Sequence, residues 1–68
     1  MMIKFKANGR EMELQADMSV EEFLLSQGYK LEFIAVEADG EILKKDLWKS
    51  SQISDFKIYE IVEFVGGG

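Results

Sequence analysis

From Met2 the chain alternates, with Ile3, Phe5 and Ala7 on one face and Lys4 and Lys6 on the other. Period two is the mark of a half-buried strand. Asn8-Gly9 follows, and because both residue types accept positive φ it predicts a tight hairpin turn. The return segment, Glu11-Met12-Glu13-Leu14-Gln15, turns Met12 and Leu14 inward. The period then changes. Val20, Phe23, Leu24 and Gln27 share one helical face, and the first three are core candidates. Ser19 and Glu22 have the spacing of a capping box, Met18 and Phe23 that of a hydrophobic staple. Gly28 supplies a left-handed stop. Together these predict a helix over 19–27. Glu21 and Glu22 lie in its first turn, where the helix dipole favours negative charge. Adjacent helical side chains diverge, so this pair reads as capping rather than as catalytic carboxylates.

After a connection over 29–32, Phe33 to Ala38 reads as a short apolar strand. Asp39-Gly40 is a second hairpin turn and Glu41-Ile42-Leu43 its return. Lys44 to Trp48 fits one helical turn, with Leu47, Trp48 and Ile53 as anchors to the core. In so small a domain Trp48 reads as a core or cover residue rather than a stacking platform. Lys44-Lys45 reads as a solvated face, with partner docking as the lesser reading. Lys57 to Phe64 is the last strand: Tyr59, Ile61 and Val65 share one face, Glu60, Val62 and Phe64 the other. Apolar residues on both faces predict a central strand. If the helix covers Tyr59 and Ile61, then Val62 and Phe64 form an uncovered apolar patch, a candidate docking site. The first and last strands can pair in parallel because a helix and a hairpin separate them. The order predicts an α+β fold: a β-grasp (ubiquitin-like), with a mixed sheet of about five strands and one main helix packed across it.

Composition narrows the chemistry more than the fold. Sixty-eight residues suit one small domain, read as a β-grasp over 1–64 and a flexible glycine tail over 65–68. With no Cys and no His there is no disulfide framework, thiolate nucleophile, imidazole base or common metal ligand set. No phosphate loop of the Gly-x-x-x-x-Gly-Lys-Ser/Thr kind occurs. A net charge of −5 argues against a nucleic-acid partner. No apolar run approaches the roughly 20 residues of a membrane span, and the start lacks the apolar core of a signal peptide. A soluble, cytoplasmic protein without a bound metal or cofactor is expected. The ending, Phe64-Val65-Gly66-Gly67-Gly68, then has two readings. Glycine-rich termini commonly fray. Alternatively, residues without side chains can thread a narrow channel and present the ionised Gly68 carboxylate to a partner.

A β-grasp of this length with that ending resembles the ThiS family, the sulfur carriers of thiamine biosynthesis. The supporting residues are Asp39-Gly40-Glu41-Ile42 after an apolar strand, Trp48 nearby, and Tyr59-Glu60-Ile61-Val62 before the glycines. Lys44-Lys45 departs from the Pro-Arg that many relatives carry after the hairpin. The resemblance implies a protein cosubstrate rather than an enzyme, with Gly68 as the site of adenylation and thiocarboxylate formation and Gly66 and Gly67 entering the partner's active site. Val62, Phe64 and Val65 become the docking candidates. Implied partners are a ThiF-like adenylyltransferase using ATP, a sulfur relay delivering a persulfide derived from a cysteine desulfurase, and a ThiG-like thiazole synthase. Two neighbouring readings stay open: a molybdopterin-synthase small subunit (MoaD-like), and a ubiquitin-like protein modifier.

Overall fold

The computed structural model describes residues 2–64. Two hairpins, one helix and a closing strand make up the described residues: β1 (Ile3–Ala7), β2 (Arg10–Leu14), α1 (Val20–Ser26), β3 (Ile34–Ala38), β4 (Glu41–Leu43) and β5 (Ile58–Glu63). Short 3₁₀ turns occupy Leu31–Phe33 and Lys45–Leu47. The strands form one mixed sheet in the order β2-β1-β5-β3-β4. β1 and β5 run parallel at the centre, and the remaining pairs are antiparallel. This is the expected β-grasp, with the last strand central.

Local chemistry accounts for the turns. Asn8 and Gly9 have φ of 51° and 79°, Asp39 and Gly40 of 52° and 83°, so both dipeptides take the positive-φ turn that matches strand twist. The capping box is complete: Glu22 N–H donates to Ser19 Oγ and Ser19 N–H to Glu22 Oε1, each at 3.0 Å. At the other end Tyr29 N–H donates to the Leu24 carbonyl and Gly28 N–H to that of Leu25. Those two bonds make a Schellman closure, which Gly28 permits at φ 87°.

The inward residues of β1, β3 and β5 pack against α1. Ile3, Phe5, Ile34, Val36, Tyr59 and Ile61 are buried with Val20, Phe23, Leu24, Trp48 and Ile53. Phe5 sits edge-on to Phe23 and to Tyr59, with ring centroids 5.2 and 5.8 Å apart, a preferred geometry for aromatic pairs. Trp48 is a core residue, and its indole N–H donates to the Leu43 carbonyl at 2.9 Å. Tyr59 receives the Ser54 N–H on its hydroxyl at 3.0 Å. Among the described residues no buried side-chain polar atom lacks a partner.

The structure corrects two details. Leu47 was expected to anchor the turn but is 46% exposed. A 3₁₀ turn has about three residues per revolution, so the adjacent Leu47 and Trp48 diverge and only the larger ring faces inward. Phe33 belongs to the 3₁₀ turn rather than to β3, and it is exposed.

Candidate functional site

The helix covers one face of the sheet, and alternation assigns the other. Beginning from β5, Ile58, Glu60 and Val62 point away from the core while Tyr59 and Ile61 point into it. Register then sets their neighbours: Val62 lies beside Ala35, Glu60 beside Glu37, and Glu37 beside Ile42. Where β5 ends, Phe64 N–H donates to the Phe33 carbonyl at 2.7 Å, so pairing continues one residue beyond the strand. Phe33, Ala35, Val62 and Phe64 thereby stand together at the root of the glycine tail. Val62 is 52% and Phe64 55% exposed. An uncovered patch at Val62 and Phe64 is therefore present, as expected. Val65, Gly66, Gly67 and Gly68 lie outside the described residues.

Sequence reasoning missed Phe33 and Ile42 as members of this face. The signal for Ile42 was available: Ile42-Leu43 are adjacent apolar residues in a two-faced strand, so one of them must point outward. Within the expected strand Phe33-Ile34 carried the same signal, and Phe33 takes the outward position beside Phe64.

Two features secure the root of the tail from inside. β5 is held by β3 along its length, through the Ile34–Glu63 to Ala38–Tyr59 register. On its other side β1 pairs only as far as Ala7 with Tyr59. Beyond that point Asn8 takes over with its side chain. Ile61 N–H donates to Asn8 Oδ1 at 2.6 Å, and Asn8 Nδ2 donates to the Ile61 carbonyl at 3.2 Å.

At the opposite end of β5 the surface differs. Phe56 is 82% exposed and holds φ at 62°, a left-handed conformation that is costly for a bulky residue. It borders a cleft of about 340 Å³ together with Lys4, Lys6, Lys57 and Ile58. Phe5 and Glu11 complete its lining, with Glu11 the cross-strand partner of Lys6. Lys57 is drawn towards Asp39 at 3.5 Å, an exposed ion pair worth little. Lys45 lies 5.5 Å from the centre of the Trp48 ring, which gives one member of the basic pair an intramolecular role. Among the described residues no cluster of three or more Asp, Glu, His or Cys could hold a metal ion. No helix among them is long and apolar enough to cross a membrane.

Known proteins share this arrangement. The ThiS family model matches residues 3–68. The sulfur carrier protein ThiS of Bacillus subtilis is 31% identical over 62 residues, spanning 90% of this chain and 94% of that protein. A thiazole synthase of Paramagnetospirillum magneticum is 36% identical over 66 residues, covering 97% of this chain. The chain spans only 20% of that synthase's length. Among solved structures, the crystal structure of a thiamine biosynthesis protein (ThiS) from Geobacter metallireducens superposes with a TM-score of 0.79 at 25% identity. That match covers 97% of this chain and all of the other.

Proposed function

The chain belongs to the ThiS family, the sulfur carriers of thiamine biosynthesis, and on that premise we propose that residues 1–64 are a carrier domain presenting the tail 65–68, with Gly68 as the reactive terminus. The observation that carries this reading is the juxtaposition at the end of β5: an uncovered apolar patch beside the root of a three-glycine terminus. The patch would seat a partner and the glycines would enter its active site.

The chemistry needs both. A carboxylate is a poor acyl donor because its leaving group would be oxide. Attack by a Gly68 carboxylate oxygen on the α-phosphorus of ATP expels pyrophosphate and makes the terminus an acyl-adenylate. The outer sulfur of a persulfide then attacks the acyl carbon and AMP leaves. A thiol cleaves the resulting sulfur–sulfur bond, the donor cysteine departing as a disulfide, and a thiocarboxylate remains on Gly68. The chain itself supplies no Cys or His and no phosphate loop, so the first step falls to a partner, which the family resemblance gives as a ThiF-like adenylyltransferase. Enclosure of the adenylate depends on excluding water and on near-attack geometry. A thread of glycines suits such a channel because no Cβ obstructs it.

Similarity to one stretch of a thiazole synthase supports a synthase of that kind as the acceptor of the sulfur. In this reading the protein is a cosubstrate, and it works in the cytoplasm with its partners. The test is intact mass. After incubation with adenylyltransferase, ATP, a persulfide donor and a thiol reductant, the protein should gain the mass of one oxygen-to-sulfur exchange, localised to Gly68. A terminus that remains a plain carboxylate would refute the carrier reading.

A further inference from the structure

We propose that Asn8 is a positioning residue for tail delivery, acting through the backbone of Ile61. This rests on the carrier reading above but concerns a different part of the molecule, the first hairpin turn. Asn8 occupies the left-handed first position of that turn at φ 51°. Its own N–H donates to the Tyr59 carbonyl at 2.9 Å, the last backbone rung between the two central strands. The chain then turns away towards β2, and β5 would continue unpaired on that side. The side-chain carboxamide fills the gap. It accepts from Ile61 N–H at 2.6 Å and donates to the Ile61 carbonyl at 3.2 Å. One amide thus acts as a further strand residue, with its acceptor matched to N–H and its donor to C=O. A third contact, from Nδ2 to the Tyr29 hydroxyl at 3.5 Å, is at the limit of a hydrogen bond.

Only Asn has both the required geometry and the required chemistry. A left-handed turn position favours Asn, Asp or Gly. Of these, Gly has no side chain, and Asp would set a second acceptor against the Ile61 carbonyl. A turn alone would have been served by any of the three. The second, distant demand is what distinguishes them. Ile61 lies three residues before Phe64, so the clamp holds β5 immediately upstream of the apolar patch and the tail. Fixing that segment reduces the ordering that docking must supply, and such preorganisation acts on affinity.

The test uses the full-length chain with Asn8→Gly, which keeps the turn, and Asn8→Asp, which keeps the turn and the acceptor. Amide exchange by NMR reads the clamp, with Val36 as the internal reference for global opening. Steady-state pyrophosphate release with a ThiF-type adenylyltransferase, ATP and a persulfide donor reads the function. Asn8→Gly should speed Ile61 exchange about tenfold or more relative to Val36, the scale of one lost hydrogen bond. It should raise KM for the carrier about tenfold with kcat little changed, the signature of lost uniform binding. Asn8→Asp should shift KM in the same direction, and it carries the test if the glycine variant fails to fold. Unchanged Ile61 exchange would overturn the clamp. Faster exchange with unaltered KM would overturn the positioning role and leave a purely structural bond. Failure of the unaltered protein to be adenylated would refute the carrier reading instead, and the exchange arm would still report on the clamp.

Discussion

Replacing Phe64 with alanine tests whether the patch beside the tail is a docking surface. Phe64 is 55% exposed. A Phe side chain buries about 150–250 Å² when fully enclosed, so about 110 Å² remains for a partner to cover. At about 25 cal/mol per Å² that area is worth nearly 3 kcal/mol, of which alanine's Cβ retains a part. The expected loss is therefore about 2 kcal/mol, or roughly 30-fold in Kd at 1.4 kcal/mol per decade. Phe64 is also half covered by its own domain, so folding stability should fall by about 1–2 kcal/mol, lowering Tm by about 4–8 °C for each kcal/mol. Calorimetric titration of the adenylyltransferase without ATP measures the first quantity and urea denaturation of the free carrier the second. Phe56→Ala is the control, because this ring is more exposed than Phe64 but lies beyond the opposite end of β5. A Kd within threefold of the unaltered value for Phe64→Ala would refute the docking role. An equal loss from both variants would show generic stickiness rather than a located surface.

Other perturbations probe separate parts of the molecule. Removing Gly67 and Gly68 should abolish pyrophosphate release while leaving Tm unchanged, since among the described residues the buried core runs from Ile3 to Ile61. Ser19→Ala should cost about 1 kcal/mol by urea titration, and Glu22→Ala should add less on that background than alone, because the two halves of the box cooperate. Phe56→Gly should raise stability by about 0.5–1 kcal/mol: relief of a left-handed Phe is worth about 1–2 kcal/mol, and glycine's extra unfolded-state entropy returns part of it. Trp48→Phe should destabilise by about 2–3 kcal/mol, because it removes the donor to the Leu43 carbonyl and leaves space in the core. The substitutions are read by chemical denaturation, and a neutral Trp48→Phe would contradict the packing described for that ring.

Features set by neighbours in the chain were legible from residue types alone. Asn8-Gly9 and Asp39-Gly40 specify their turns because few residues tolerate consecutive positive φ. Ser19, Glu22 and Gly28 bound the helix because capping satisfies backbone groups within three or four residues. Alternation in β1 and β5 assigned inward and outward faces correctly, and with them the exposure of Val62 and Phe64. Apolar residues on both faces of β5 marked it as central, and the sheet order agrees. The glycine-rich ending and the lack of Cys and His are likewise read from residue types alone.

Other features depend on residues far apart in the chain, and only the tertiary structure decided them. Leu47 and Trp48 competed for one inward position, and the core assembled from distant strands and the helix took the larger ring. Phe33 joined the outer patch because its carbonyl receives the Phe64 N–H, a contact spanning half the chain. Phe56 was driven to positive φ while its N–H was committed to the Lys4 carbonyl. Asn8 is the clearest case. Its residue type announces a turn, yet its side chain also serves Ile61, 53 positions away. Local chemistry makes Asn, Asp and Gly nearly equivalent at that turn. The parallel pairing of β1 with β5 is what makes a carboxamide the best of the three.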